Sequence, residues 1–347
     1  MPDTVRSPRI LFRADAKPDL GGGHIMRCLS LATSLKTRGA DIAFACAPGS
    51  TELVPALSRS GHPVMTAQSA ADFDLPGKWN GQTDAIVVDL YSSVRADESR
   101  MRQISPVIAV LEDLPERVHD CDLLVDQGFD LQPADYARRV PPGTALLLGP
   151  DMTPLRPDFA RLRTASLARR GAGSDLSRVL VSMGLTDVGG ISTRIVALVR
   201  ASLPAVTIDV VLGPHAPSLP DLRQVAASDP CLNILVDVDH MAERVMAADL
   251  AIGAGGGSAL ERCVLGVPSI IVVLAENQRP AARAMARAGA ALTIESPDSV
   301  AGALPALLRD VSSRQLAQLS AKAAGLCDGL GADRITTALL DLIDRRR

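Results

Sequence analysis

The stretch Gly21-Gly22-Gly23-His24-Ile25-Met26-Arg27-Cys28, preceded by the apolar run Ile10-Leu11-Phe12-Arg13-Ala14 and by Asp15, decides the fold. A short apolar run stopped by a carboxylate, then a glycine-bearing loop, then apolar residues at helical spacing from Ile25 to Arg38 read as strand, loop and helix. Gly39 closes that helix as a C-cap. Glycines permit a tight turn and close backbone approach, and a helix start offers unpaired N–H groups and a partial positive charge. The combination makes a site for an anion with a histidine at its edge.

The same rhythm continues downstream. Strands are expected at Asp41 to Ala45, Pro63 to Met65, Ala85 to Asp89, Val107 to Leu111 and Asp122 to Asp126, with a helix over Thr51 to Ser60. A polar stretch from Leu75 to Gln82 interrupts them and holds the single tryptophan, Trp79. Alternation of this kind argues an open parallel α/β sheet. Residues just after such strands stand at the C-terminal edge of the sheet, where ligands bind in doubly wound folds. Asp15, Asp89, Tyr91, Glu112 and Asp113 are therefore placed on one rim with His24. Each acid taken alone also fits a turn or N-cap.

Leu146 to Pro150 and Met152 to Pro157 mark a proline-rich crossing, followed by a basic helical stretch from Phe159 to Arg170 and the loose Gly171-Ala172-Gly173-Ser174. The rhythm then restarts: Val179 to Gly184, a Gly189-Gly190 turn with a helix from Ile191, and strands at Thr207 to Leu212, Leu232 to Val236 and Leu250 to Ile252. A second glycine turn, Gly253-Ala254-Gly255-Gly256-Gly257-Ser258, opens a helix over Ala259 to Leu265, and Pro268 to Val273 is the next strand. From Pro280 the chain reads as Ala-rich and helical. Its last helix, introduced by Gly329-Leu330-Gly331, ends in Arg345-Arg346-Arg347, a complement to the helix dipole facing solvent. Two tandem α/β domains are expected, over 1–157 and 175–347, joined by a linker over 158–174; the last helix is free to cross back to the first domain.

The bulk properties agree. Hydrophobic residues make up 47% of the 347 but aromatics only 2%, so cores of Ala, Val, Leu and Ile are expected, which suits parallel sheets under helices. A net charge of −3 gives no general attraction to nucleic acid or anionic membrane. There is no apolar run of about 18 residues, and Met1-Pro2-Asp3-Thr4 has the character of no leader, so a soluble cytoplasmic chain is expected. Six scattered cysteines without a C-x-x-C pair read as reduced structural thiols, and no zinc or calcium motif is present.

Gly255-Gly256-Gly257-Ser258 resembles a phosphate cradle, in which backbone N–H groups and one hydroxyl hold a pyrophosphate without lysine or metal. It lacks the Gly-Lys-Ser/Thr ending of a P-loop. Glu261 is either the capping-box partner of Ser258 or a carboxylate for a ribose diol, and the two readings are compatible. His24 has three readings: a packing or capping residue, a phosphate contact, or a general base whose ring the helix start keeps neutral. Asp15 or Asp89 could orient that ring.

Arg13-Ala14-Asp15 with Gly22 to Leu29, Val87-Val88-Asp89-Leu90-Tyr91, Glu112-Asp113, Leu148-Gly149-Pro150 with Leu155-Arg156, Ser182-Met183-Gly184 with Asp187, Gly255 to Ser258 with Glu261, and Glu276-Asn277-Gln278 follow one another along nearly the whole chain. Together they resemble the signature of the UDP-sugar hydrolases of pseudaminic acid biosynthesis and, more widely, glycosyltransferases of the B fold. The resemblance implies two Rossmann-like domains facing across a cleft. It implies metal- and cofactor-independent hydrolysis of UDP-2,4-diacetamido-2,4,6-trideoxy-β-L-altropyranose to free sugar and UDP, with water attacking the anomeric carbon and inverting it, for surface glycan or flagellin glycosylation. A monomer without nucleic-acid or membrane partners goes with it.

By residue, the resemblance makes His24 the base and Tyr91 an active-site tyrosine; Asp15 and Asp89, read above as partners for the ring, complete the catalytic group. It gives the pyrophosphate to Gly255, Gly256, Gly257 and Ser258, the ribose to Glu261 and the sugar-phosphate region to Asn277. Gly22, Gly23, Arg27, Met183, Gly184 and Gln278 join the substrate side. Two positions depart from the pattern: Leu90 stands where a histidine is frequent, and Leu185 where a second glycine is frequent. The competing readings are a UDP-sugar glycosyltransferase, a nucleotide-sugar epimerase and a non-catalytic nucleotide-sugar binding module.

Overall fold

The computed structural model describes residues 6–19, 21–75, 77–79, 81–171 and 175–347; Met1-Pro2-Asp3-Thr4 and the linker residues Ala172-Gly173-Ser174 lie outside them. The chain divides into two compact units, Met1–Lys17 with His24–Arg156 and Leu330–Arg347, and Pro18–Gly23 with Pro157–Gly329.

The first unit holds β1 (Arg9–Ala14), β2 (Asp41–Cys46), β3 (Val64–Thr66), β4 (Ala85–Asp89), β5 (Val107–Glu112), β6 (Leu123–Asp126) and β7 (Ala145–Leu148). These seven strands pair in the order β3-β2-β1-β4-β5-β6-β7, all in parallel. Every residue of β4, β5 and β6 is buried, which is why these strands are continuous apolar runs and not alternating ones. Phe12 and Phe44 stack at 5.0 Å between β1 and β2, while Trp79 fills a gap on the face built from Leu11, Ile86, Val88 and Ile108. Burying each such side chain contributes roughly 1.5–3 kcal/mol.

The helices of this unit are α1 (Gly23–Thr37), α2 (Ser50–Leu53), α3 (Pro55–Arg59), α4 (Arg95–Met101) and α5 (Pro133–Tyr136). The single helix expected over Thr51 to Ser60 is two, because Pro55 has no N–H to continue the ladder and pushes Val54 to φ −125°. β7 is a strand where only a proline-rich crossing was read. Its Leu-Leu-Leu run pairs with β6, and the prolines fall after it.

The second unit holds α6 (Pro157–Gly171), α7 (Ile191–Ser202), α8 (Leu219–Ala226), α9 (Met241–Ala247), α10 (Gly257–Val264), α11 (Arg279–Arg287), α12 (Val300–Asp310) and α13 (Ser313–Ala324). Its strands are β8 (Arg178–Ser182), β9 (Thr207–Leu212), β10 (Leu232–Val236), β11 (Leu250–Ala254), β12 (Ser269–Val272) and β13 (Leu292–Ile294), in the parallel order β10-β9-β8-β11-β12-β13. β13 corrects the all-helical reading after Pro280: three residues pairing with β12 are too few for a period to register. α6 is no loose tether along its length. Arg163 donates to the Val264 and Ala324 carbonyls, and Ser166 and Arg170 to that of Leu265.

The last helix, α14 (Gly331–Arg346), groups with the first unit. Asp333 accepts from Ser34 Oγ at 2.7 Å, and Thr336 Oγ1 lies 2.9 Å from the same hydroxyl. A Cβ at Gly331 would stand 2.2 Å from the Thr153 carbonyl oxygen, so only glycine lets α14 start there. The basic end is exposed, as read, and also carries ion pairs: Arg346 bonds Asp122 at 3.1 Å and Arg347 bonds Asp84 at 3.2 Å. Acids at the N-terminal ends of the strands supply partners beyond the helix dipole.

In each sheet the strand order reverses once, between β1 and β4 and between β8 and β11. Ligands bind at the carboxyl ends of strands at such switch points. His24 follows β1 and Asp89 ends β4; Gly184 follows β8 and Gly255 follows β11.

Candidate active site

The β1/β4 register pairs Ala14 with Asp89, which brings the end of β4 beneath the start of α1. His24 Nδ1 lies 2.5 Å from Asp89 Oδ1. Arg27, one helical turn on, forks onto the same carboxylate with Nε to Oδ2 and Nη2 to Oδ1, both at 2.6 Å, and donates from Nη1 to Asp113 Oδ1 at 2.7 Å. Tyr91 Oη donates to Asp113 Oδ2 at 2.9 Å, and its ring meets that of His24 edge-on at 4.6 Å.

The electrostatics follow from burial. Asp89 is 1% exposed; burial alone would raise its carboxyl, but the Arg27 guanidinium and the His24 ring hold it well below the usual carboxylate range. Burial likewise opposes the charge on Arg27, and Asp113 and Asp89 outweigh it, so the guanidinium stays protonated. The Cys28 thiol, 3.5 Å from Asp89, is pushed up first by burial and then by that carboxylate. The carboxylate at Nδ1 assigns the proton to that nitrogen and leaves the lone pair on Nε2.

A second buried layer fixes Asp113. Glu112 accepts from the N–H groups of Asp113 and Leu114 at 2.8 and 2.9 Å, and Arg117 and His119 Nε2 each lie 2.8 Å from its other oxygen. His119 Nδ1 lies 2.7 Å from Glu98. Burial lowers the His119 ring, yet its bonds to Glu112 and Glu98 push it up to about 9, so it stays charged between two acids. Asp126, at the end of β6, is pushed up to about 6 by burial and bonds Tyr136 Oη at 2.5 Å.

Of the two acids expected to orient His24, Asp89 does so. Asp15 is turned the other way, ion-paired with Arg13 and accepting from Ala47 N at 2.7 Å, because β2 and not β4 supplies its neighbours. Leu90 sits in the core at 6% exposure and brings no polar group to His24. Gly22 is buried and Gly23 is exposed at the start of α1.

At the second turn α10 begins at Gly257 with Gly256 as N-cap, so Ser258 is inside the helix and the capping box with Glu261 does not form around it. Gly257 is exposed and Ser258 and Glu261 are half-buried. A Cβ at Gly255 would lie 3.2 Å from Ile271 and 3.3 Å from Gln278, a close approach that leaves the backbone no room for a side chain. Gln278, expected on the substrate side, spends its Oε1 on Gly255 N at 3.2 Å and Leu274 N at 3.1 Å and so splints two loops. Met183 is a core residue at 2% exposure, whereas Gly184 and Asn277 are exposed. Leu185 turns its carbonyl to Gly213 N at 3.0 Å.

Sequence reasoning missed Glu98, Arg117 and His119, whose charges come from separate loops and helices with no motif between them. It also missed Arg262, which the pattern Ala259-Leu260-Glu261-Arg262-Cys263-Val264 does flag as a cation on an apolar helix face. None of the six cysteines is in a disulfide. Among the described residues no helix is long and apolar enough to cross a membrane.

Residues 216–332 match the glycosyltransferase family 28 C-terminal domain. The UDP-2,4-diacetamido-2,4,6-trideoxy-beta-L-altropyranose hydrolase of Campylobacter jejuni is 22% identical over 284 residues, covering 81% of this chain and 97% of that protein. An uncharacterized protein of Methanocaldococcus jannaschii is also 22% identical over 277 residues; the chain spans 57% of that relative's length. Among solved structures, Acinetobacter baumannii MurG superposes with a TM-score of 0.63 at 14% identity, covering 96% of this chain and 99% of that one. The chain thus has the two-domain fold of the B-type glycosyltransferases, matches the family 28 C-terminal domain over residues 216–332, and resembles the Campylobacter hydrolase over most of its length.

Proposed function

We propose that the protein hydrolyses UDP-2,4-diacetamido-2,4,6-trideoxy-β-L-altropyranose to the free sugar and UDP, with inversion, in pseudaminic acid biosynthesis. The observation that carries the proposal is the 2.5 Å contact between His24 Nδ1 and the buried, Arg27-clamped Asp89. It presents Nε2 as a base for water and supports the imidazolium that forms. Asp89 orients the ring, Arg27 locks Asp89, and Tyr91 packs against the ring and is set by Asp113. Asp15 supports the β1 end and does not touch His24.

The first unit, which carries His24, would supply the base, and the second, with Pro157–Gly329, would hold UDP. The N–H groups of Gly256, Gly257 and Ser258 at the start of α10 suit the departing diphosphate, whose growing charge such donors stabilise, while Gly255, its N–H held by Gln278, shapes the turn. Glu261 is assigned to the ribose, and Asn277, Gly184, Gly22 and Gly23 to the substrate. The resemblance to the Campylobacter enzyme supports the reaction, and independence of metal is part of the same proposal. A monomeric cytoplasmic enzyme acting on a free nucleotide sugar completes the reading.

The test is purified protein with this UDP-sugar, no acceptor and EDTA present, followed by NMR. Free sugar of inverted anomeric configuration with UDP supports the proposal, and loss of turnover in His24→Ala with UDP binding retained assigns the base. UDP release that waits on an added acceptor would instead support a glycosyltransferase, the second reading, which the family 28 match and the MurG-like fold favour. A 2-epimer as product would point to an epimerase. Binding without turnover in the native chain would leave a nucleotide-sugar binding module.

A further inference from the structure

Arg262 is 2% exposed on α10, directly beneath the Gly255 to Ser258 turn. Its Nη2 donates to the Ala254 carbonyl at 2.9 Å, its Nε to Ser269 Oγ at 3.2 Å and its Nη1 to Ser258 Oγ at 3.3 Å. All three acceptors are neutral, and no carboxylate of the described residues forms an ion pair with it. Compare Arg27, whose less buried side chain is matched by two acids. Burial pulls the Arg262 guanidinium down to about 10, with only a partial counterweight from Cys263 and Glu261. A charge removed from water without a counter-ion is costly, and a bound anion would offset that cost. The approach is close as well: a Cβ on Gly253 would stand 2.6 Å from Nη1.

Two consequences meet at Ser258. Because Nη1 occupies a lone pair of Oγ, the hydroxyl proton is directed away from Arg262, toward the solvent side of the turn, where it can be donated to an anion. The positive charge beneath the exposed N–H groups of the turn adds to the helix-dipole field at that point.

We infer that Arg262 is a positioning and charge-supplying residue for the diphosphate of the nucleotide, acting from below the turn through Ser258 and filling the role that a lysine or a metal ion has in other phosphate cradles. The inference rests on the proposal that this turn holds UDP. It assigns to a side chain within the domain the selectivity for the diphosphate over the nucleoside.

The experiment is calorimetric titration of the full chain with UDP, UMP and uridine. Wild-type affinity is expected to rise with ligand charge. Arg262→Gln should weaken UDP roughly tenfold or more, UMP less, and uridine less than about twofold, because only the phosphate groups sense the missing charge. Equal weakening of UDP and uridine would mean that Arg262 merely shapes the turn, and an unchanged UDP affinity would mean that its charge is not felt; either result overturns the inference. Should the Gln variant not fold, Arg262→Lys is read instead across about pH 6 to 9, because a buried, unpaired lysine titrates in that range. A preference for UDP over uridine that fades with rising pH, relative to wild type, supports the inference, and a profile parallel to wild type overturns it. Absence of UDP binding in the wild-type protein would refute the nucleotide reading itself, a result distinct from any failure confined to the Arg262 variants.

Discussion

Replacing Asp89 by Asn tests the central geometry with almost no change in volume. Asp89, itself 1% exposed, accepts two bonds from Arg27 at 2.6 Å and faces His24 at 2.5 Å. An amide keeps one acceptor. If its oxygen stays at the Oδ1 position, its N–H₂ meets Arg27 Nε and a charge-assisted bond is replaced by a donor–donor clash. If it turns over, the N–H₂ faces His24 Nδ1 and forces the proton onto Nε2. Arg27 retains Asp113, so no unbalanced charge is left, and the structural cost is that of one or two charged hydrogen bonds, about 1.5–3 kcal/mol. At about 2–4 °C per kcal/mol for a domain of this size, the melting temperature should fall by roughly 3–12 °C. Turnover suffers more, since either arrangement removes the support for an imidazolium or the base itself; kcat should fall by about 10²–10⁴ with KM nearly unchanged. The assay is UDP release at saturating UDP-sugar, beside thermal melts of the same samples. A variant that melts lower but keeps kcat within threefold, while His24→Ala abolishes turnover, would refute the claim that Asp89 governs His24.

Tyr91→Phe removes the 2.9 Å bond to Asp113 but keeps the edge-on ring contact, so stability should drop by about 0.5–1.5 kcal/mol in urea unfolding and kcat by less than about tenfold; a larger loss of kcat would give the hydroxyl a direct role. His119, pushed up to about 9 when folded, contributes stability that is fully present below its unfolded value of about 6.5 and is lost as pH rises through about 9. The stability gap between wild type and His119→Gln, up to about 3 kcal/mol at pH 6, should therefore narrow by pH 10, and a constant gap would show that the ring is not held charged. Gly331→Ala places a Cβ 2.2 Å from the Thr153 carbonyl oxygen and should destabilise the first unit by about 1–3 kcal/mol or displace α14, seen as lost protection of α14 amides in hydrogen exchange; a neutral result would contradict the close approach.

Much of this was legible in the chain because the signals are local. β4, β5 and β6 announce themselves as unbroken apolar runs since both faces are covered, and the glycine turns mark where the chain leaves a strand and approaches closely before a helix. β7 and β13 escaped notice because edge strands of three or four residues carry no period and draw their stability from the neighbour they pair with. Position after a strand grouped Asp15 with Asp89, and the resemblance placed Met183 and Gln278 with the ligand residues, but neither signal says where a side chain turns.

The sequence by itself determined that the chain is two parallel α/β sheets with a histidine and a serine each placed at a glycine-led helix start, for these depend on residue type and near-neighbour spacing. Only the tertiary structure decided which carboxylate faces His24, that Arg27 spans Asp89 and Asp113, and that Glu98, Glu112 and His119 brace them from elements far apart in sequence. It alone set Arg262 under the second turn without a counter-ion. The physical reason is that ion pairing depends on distances of a few ångströms, which strand order and register impose between residues that the chain itself keeps far apart.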